Sequence, residues 1–283
     1  MKKDKLKWLL LSPIIIYALV LILLPIVYIF ILSFQTSGNY GETIYNLTFY
    51  NYIELIKTIY IKVFAVSFGI ASITTIVCMI IAFPFAYFLR EKSARTKTLV
   101  TTLVMLPFLT NSLIRLYGWI VLLRKTGIVN TILMNSGITD HPLSLMYNTF
   151  GTCVGMVYTL LPFMILPLIS ACEKIDGSLI EASHDLGASK FQTFIHVILP
   201  QVRTGLFNGS LMVFIPSIGY FFISDILGGG KVMLIGNLIK NQFYTARNWP
   251  FGSAIAIILI IMTFVLIGLY KRSGGKMDDL GGA

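Results

Sequence analysis

The residues able to do chemistry in this chain are few and scattered. His141, His184 and His196 share no spacing that would bring two imidazoles to one metal ion, and Cys78, Cys153 and Cys172 sit in apolar runs at no metal-like interval. Buried free thiols are expected. Gly228-Gly229-Gly230-Lys231 is a glycine run ending in lysine, but it lacks the earlier glycine and the following Ser or Thr of a phosphate-binding loop. It predicts a turn at the end of a span. No nucleophile–base pair stands out, so the expectation is no catalytic residue, no metal site and no cofactor in this chain. An energy-driven role would need a separate ATPase.

What remains is charge in apolar surroundings. Arg115 lies in one apolar run and Asp225 near the end of another. Each costs roughly 2.5–3.5 kcal/mol at the centre of a membrane helix, so both are expected to face a protein interior. The plainer alternative is that both sit shallow enough to reach the headgroups. Tyr117, Trp119, Tyr220, Phe221 and Phe222 surround them, and aromatic faces can hold an organic cation. Most aromatics in spans are packing residues or interface anchors. Asn111 and Arg115 are four apart and are expected on one helix face. The candidate path is therefore Asp225, Tyr220, Phe221, Asn111, Arg115 and Tyr117, with Asp225 either pairing with Arg115 or meeting the cation itself.

The elements that must position these groups are membrane helices. The chain is 56% hydrophobic and 12% charged, with mean hydropathy +0.83, which excludes a soluble domain. Apolar runs at about 8–32, 62–89, 98–123, 148–172, 206–227 and 250–270 each suffice to cross a bilayer of roughly 30 Å. The first run is too long for a signal peptide and ends in no small-residue cleavage site. Pro107 and Thr110-Asn111-Ser112 interrupt the third run, and Asn148 with Thr149 offers a cap for the fourth. A short connection is expected over 124–141, and a short helix over Ile235 to Tyr244. Pro250 can open the sixth run, where its missing N–H costs nothing. The net charge of +10 suggests nucleic acid, but the charges form short patches between spans, a topology pattern. Lys2, Lys3, Lys5, Lys7, Arg90, Lys92, Arg95, Lys97, Lys174, Lys190, Arg203, Lys271, Arg272 and Lys276 fall on one side. That side is predicted to be cytoplasmic, with both termini.

The polar segment 173–205 lies on that same side. Ser178 with Glu181 predicts a capping box, and Leu179, Ala182, Ser183 and Leu186 share one face of the helix it would open. Gly187 stands where a left-handed C-terminal cap belongs. Ser189 with Gln192 is a second capping box. Phe191, Phe194, Ile195 and Ile198 give a second helix its apolar face, which Pro200 is expected to end or kink.

Glu181-Ala182-Ser183, Asp185-Leu186-Gly187 and Val197-x-Leu199-Pro200 resemble the EAA loop of ABC-importer permeases, with Ser183 and Val197 departing conservatively. In that family the loop is a coupling helix that docks on a cytoplasmic ATPase. The resemblance extends over nearly the whole chain. Pro107 to Arg115, Ile223 to Gly229, Leu234 to Asn237 and Trp249 to Gly252 look like the PotB-type permeases of spermidine/putrescine importers. That resemblance implies a MetI-like, type I, all-α membrane protein of six transmembrane helices in one domain. It implies a multi-pass bacterial inner-membrane subunit with a PotC-type second permease, a homodimeric PotA-type ATPase that uses ATP and Mg, and a PotD-type extracytoplasmic polyamine-binding protein. Membrane lipid would surround it, and no nucleic acid is involved. Two alternatives stay open. The same machine could carry another solute, such as an amino acid or an anion, and an anion path should show basic groups unpaired by acids. An ATP-independent channel or secondary transporter would follow ion gradients and leave the loop idle.

Overall fold

A computed structural model describes residues 11–38 and 42–272, apart from positions 15 and 18. The basic residues Lys2, Lys3, Lys5, Lys7 and Lys276, and the start of the first span at Trp8, lie outside the described residues. In chain order the helices are α1 (Leu24–Ser33), α2 (Tyr50–Glu54), α3 (Thr58–Arg90), α4 (Ala94–Met105), α5 (Ser112–Leu123), α6 (Ile128–Asn135), α7 (Thr149–Cys172), α8 (Gly177–Asp185), α9 (Lys190–Thr193), α10 (Leu199–Gly219), α11 (Phe221–Gly228), α12 (Ile235–Tyr244) and α13 (Trp249–Arg272). A π-helical turn, Leu19–Leu23, leads into α1.

Among the described residues four helices are long and apolar enough to cross a membrane, or up to six spans if each of two bent pairs is one span. The first, Leu11–Ser33, has no buried residue in its most apolar window, as suits a helix whose side chains meet lipid or another subunit. Helix α3 has 33 residues, about 50 Å at 1.5 Å per residue, so it outruns a hydrocarbon core of about 30 Å. The polar-aromatic stretch after the first span holds a two-stranded antiparallel ribbon, Thr36–Ser37 with Thr43–Ile44, and the short α2.

The third span is interrupted where the sequence pointed. Leu106–Leu109 tightens into a 3₁₀ turn, Thr110 is extended, and the flanking helical segments meet at 93°. The following connection is not a plain link as expected, because it carries α6. Asn130 holds that region together, donating to the carbonyls of Arg124 (3.2 Å) and Leu143 (3.0 Å) and accepting from the Leu143 N–H at 2.8 Å. The fifth span corrects the expectation of one run over 206–227. It bends by 66° at Tyr220, between α10 and α11. Gly236 packs against the bend, where a Cβ would stand 2.2 Å from the Gly219 carbonyl oxygen. The backbones of the two segments touch at this point.

Two compact units divide the chain. In the first, residues up to 62 join 238–264. There Asn51 donates to the Ser33 and Gln35 carbonyls at 2.9 and 2.8 Å, Phe34 packs among Phe30, Phe49 and Tyr52, and Tyr60 meets Phe251 at 5.0 Å. The second unit, 63–237 with the stretch from 265, is built on α7 and α10 packed side by side. Glycines set that packing. A Cβ on Gly205 would stand 2.4 Å from Ala171 Cβ, and one on Gly209 2.6 Å from Met164 Sδ. On the other side of α7 a Cβ on Gly155 would meet Leu227 and Ile223 of α11 at 2.5 and 2.9 Å. Gly151-x-x-x-Gly155 and Gly205-x-x-x-Gly209 are both small-xxx-small patterns, which let helix backbones approach where hydrophobic attraction gives little.

Candidate functional site

The loop segment folds as two helices, α8 and α9, but the first is capped differently from the expectation. Asp176 is the N-cap. Its carboxylate accepts from the Ser178 N–H at 2.9 Å and the Ser178 hydroxyl at 2.8 Å. Ser178 is thus already inside the helix with its hydroxyl engaged, and Glu181 is free of capping. An aspartate two residues earlier serves the same orphan N–H groups and adds charge at the positive end of the helix dipole. These hydrogen bonds, the hydroxyl first, lower the Asp176 pKa. The Asp176 N–H also donates to Gln201 Oε1 at 3.0 Å, tying the loop's entry to the base of α10.

The C-terminal end behaves as the glycine suggested. Gly187 has φ +80°, its N–H reaches the His184 carbonyl at 2.9 Å, and the Ala188 N–H reaches the Ser183 carbonyl at 3.0 Å. This pair of bonds is a Schellman motif. Ser189 and Gln192 form the expected reciprocal capping box, with arms of 2.8 and 3.3 Å.

Of the two outcomes expected at Pro200, an end or a kink, the first does not occur. Residues Phe194–Ile198 form a π-helical turn that runs straight into α10, with Pro200 in its first turn. The wide turn accommodates a ring that would clash with an ordinary α-helical carbonyl four residues back. The second loop helix is therefore continuous with the loop-side end of the fifth span. Its buried face is also different. Phe191 is 71% exposed, and Thr193 is buried instead. Thr193 and Ser183 share a hydrogen bond of 2.9 Å between their hydroxyls, and Ser183 also donates to the Ile180 carbonyl at 2.8 Å. Sequence reasoning treated Ser183 as a conservative stand-in for alanine. Its partner, Thr193, lies ten residues on and outside the expected apolar face of Phe191, Phe194, Ile195 and Ile198.

The loop rests on the C-terminal part of α3. Phe83 meets Phe194 edge-on at 5.5 Å, and Lys97 at the start of α4 pairs with Glu173 at 3.3 Å. Phe83, Tyr87, Ile180, His184, Lys190, Thr193, Phe194 and Ile198 line a groove of about 350 Å³. The opposite face of α8 has no cover. Leu179 and Leu186 are 50% and 88% exposed, and Glu181, Ala182 and Asp185 are exposed beside them. Leu199 is half-buried and Pro200 exposed, on the wall of a second groove with Arg203. Ser183→Ala is expected to cost about 1 kcal/mol, the worth of one hydrogen bond, and Thr193→Val about the same, with the double variant costing less than their sum. Thermal unfolding of the three variants measures this coupling.

The path residues lie at the other end of the second unit. Tyr147 N–H donates to the Leu227 carbonyl at 2.7 Å, and the Ile235 N–H to Ser67 Oγ at 2.9 Å, which gathers the third turn of α3, the entry to α7 and the start of α12 with the end of α11. Gly229 and Gly230, with φ +60° and +73°, make the turn after α11. Asp225 accepts from Asn237 Nδ2 at 2.7 Å. That amide also reaches the Phe221 carbonyl at 3.1 Å, while its oxygen takes the Leu234 N–H at 3.0 Å. Arg115 does not meet Asp225. Its guanidinium lies 5.0 Å from the Phe108 ring centre and 5.8 Å from that of Tyr158. Asn111 is the N-cap of α5: its side chain accepts from the Leu113 N–H at 2.8 Å, and its carbonyl accepts from the Arg115 N–H at 3.3 Å. Tyr117 is 60% exposed, Tyr220 half-buried against Phe222, and Phe221 39% exposed. Asn237, Phe108 and Tyr158 were missed, since their partners are distant in the chain.

Residues 8–278 match the family described as binding-protein-dependent transport system inner membrane component. The chain belongs to that family. It is 42% identical over 257 residues to the spermidine/putrescine transport system permease protein PotB of Haemophilus influenzae, covering 91% of this chain and 90% of that one. It is 40% identical to PotB of Escherichia coli, covering 91% and 94%. Among solved structures it superposes on a bacterial ABC transporter that imports the acidic polysaccharide alginate, with TM-score 0.71 at 16% identity, over 96% of each chain. The same type of transporter bound to its pentasaccharide-loaded periplasmic protein gives TM-score 0.74 at 16% identity, over 95% of this chain and 93% of that one. At that identity the likeness establishes the fold. The chain is thus an ABC-importer permease subunit with a MetI-like fold, a membrane transport protein and not an enzyme.

Proposed function

We propose that this permease serves an importer of polyamines, spermidine or putrescine, in the bacterial inner membrane. The observation that carries the substrate is identity of 40–42% with polyamine permeases across nine-tenths of the chain. The subunit supplies half the translocation path beside a PotC-type permease. It receives polyamine from a PotD-type binding protein at the outer end. A PotA-type ATPase dimer, holding ATP and Mg, docks on the cytoplasmic side. Segment 173–205 is the coupling loop, and the exposed Leu179, Ala182, Asp185 and Leu186 with Glu181 form the docking face. The excess of Lys and Arg near Arg90 to Lys97 and Lys174 to Lys190 supports a cytoplasmic loop.

The test is ATP hydrolysis by the four-part complex in vesicles. Hydrolysis is expected to rise on adding the loaded binding protein with spermidine or putrescine, and not with an amino acid or an anionic sugar. Stimulation by an anion alone would replace the polyamine reading with another solute, and uptake driven by an ion gradient without ATP would replace the importer reading.

Asp225 is proposed to line the outer part of the path. Asn237 can donate to the amide oxygen of Asp225→Asn as it does to the carboxylate, so that contact is expected to survive in the variant, and assembly is measured beside uptake. Loss of one negative charge facing a polycation is expected to raise the half-saturating polyamine concentration about tenfold. Unaltered uptake would remove Asp225 from the path.

A further inference from the structure

Arg115 presents an unusual pattern for a cation inside a membrane protein. It is half-buried, its Nε is fully buried, and among the described residues that atom has no hydrogen-bond partner. No ion pair among the described residues joins it to a carboxylate. Its charge is met by ring faces instead, Phe108 at 5.0 Å and Tyr158 at 5.8 Å. These rings are themselves positioned by others. Phe163 stands edge-on to Phe108 at 5.3 Å, and Trp119 edge-on to Tyr158 at 5.4 Å. The three groups come from three places. Phe108 lies in the 3₁₀ turn before the 93° break, Arg115 in the helix after it, and Tyr158 in α7. All three are half-buried, so part of each residue stays accessible.

Two aromatic faces brought together without a carboxylate are a site for a cation that must leave again. The negative ring faces attract a charge of either kind, guanidinium or ammonium, and the attraction is far weaker than a buried ion pair. We propose that the Phe108 and Tyr158 faces are a transit site for an ammonium group of the transported amine, and that Arg115 is a tethered competitor that fills the site when the permease is empty. This inference rests on the polyamine reading above. A tethered cation returns at high effective concentration as soon as the substrate shifts, so the substrate is not retained. Because Arg115 and Phe108 flank the break, displacing the guanidinium also frees one contact across the bend.

The experiment is equilibrium dialysis of radiolabelled spermidine against the full complex of permeases and ATPase in nanodiscs, without the binding protein. Arg115→Gln is expected to bind spermidine more tightly by about 2- to 30-fold, the range that a vacated cation–π site spans. Arg115→Lys is expected to stay within about threefold of the unaltered complex, since a tethered cation remains. Adding Tyr158→Leu and Phe108→Leu to Arg115→Gln is expected to abolish the gain. Arg115→Met carries the same expectation as Arg115→Gln if the glutamine fails to assemble. Binding no tighter in either variant overturns the proposal. So does a gain that survives removal of both rings, which would mean simple relief of repulsion. Failure of both Arg115→Gln and Arg115→Met to assemble overturns it too, by making the guanidinium a structural group. Uptake by the unaltered complex with its binding protein separates the two ideas. If spermidine is neither imported nor bound, the polyamine reading falls and the transit site with it. If it is imported while Arg115→Gln binds no tighter, only the transit site falls.

Discussion

Gly187→Val is expected to reduce uptake to background while the permease still inserts and pairs with its second permease. The residue sits at φ +80°, in the left-handed region, and closes the Schellman motif at the end of α8. A side chain there costs roughly 1–2 kcal/mol, and a β-branched one more. No atom lies within 4 Å of where the Cβ would stand, so the penalty is in the backbone and stays local. The chain escapes it by changing the turn, and the turn fixes how the exposed Leu179, Ala182 and Leu186 are presented. A docking face tilted by a few degrees no longer fits a partner that must move with it. Gly187→Ala is expected to show a partial loss, and Gly230→Ala, at φ +73° but remote from the loop, little loss of coupling. Copurification of the ATPase, measured beside uptake, reads the effect. Full uptake by Gly187→Val with the ATPase bound at normal affinity would end the coupling proposal.

Gly205→Leu is expected to abolish folded protein altogether. Its first side-chain carbon would stand 2.4 Å from Ala171 Cβ and 2.9 Å from the Pro167 carbonyl oxygen. Neither can swing aside, because one is fixed to backbone and the other is backbone. Helices α7 and α10 must then separate along their shared length, and α7 also carries α11 on its other side. Overpacking in a core that can adjust costs about 1–3 kcal/mol, and this site cannot adjust, so the loss is expected at or above the top of that range. Gly268→Leu, a change of the same size in open space on α13, is expected to leave stability unchanged. The yield of monodisperse protein in detergent and its thermal unfolding separate the two. Near-normal stability of Gly205→Leu would mean that α7 and α10 pack less closely than described here.

The features legible beforehand share a short range. The apolar runs, the interruption near Pro107, the Asn148 cap, the Ser189–Gln192 box, the left-handed Gly187 and the helix Ile235–Tyr244 all depend on residues within about a turn of one another. Backbone hydrogen bonding and φ/ψ preference act over that distance, so residue type and spacing suffice. Even there a near-tie was misjudged. Asp176 and Ser178 are both good caps two residues apart, and only the folded loop, with Gln201 holding the Asp176 N–H, favours the first. The small-xxx-small glycines are equally local in the sequence, but which helix each pair meets is not.

What the sequence alone determined is the class of machine: a chain of spans long enough for a bilayer, broken once by proline and polar residues, with a capped polar loop whose pattern matches an ATPase-docking segment. What only the tertiary structure decided is which distant residues meet. The third-span arginine lies on Phe108 and Tyr158 rather than on Asp225, Asp225 takes Asn237, Ser183 takes Thr193, and the fifth span bends at Tyr220 where Gly236 arrives. The reason is physical. In a water-soluble helix the apolar stripe fixes which face turns inward. Here the spans are apolar nearly all round, so periodicity does not fix their rotation or depth. Those are set by the close approach of glycine backbones and by a few buried polar groups seeking partners, and neither can be paired until the helices are side by side.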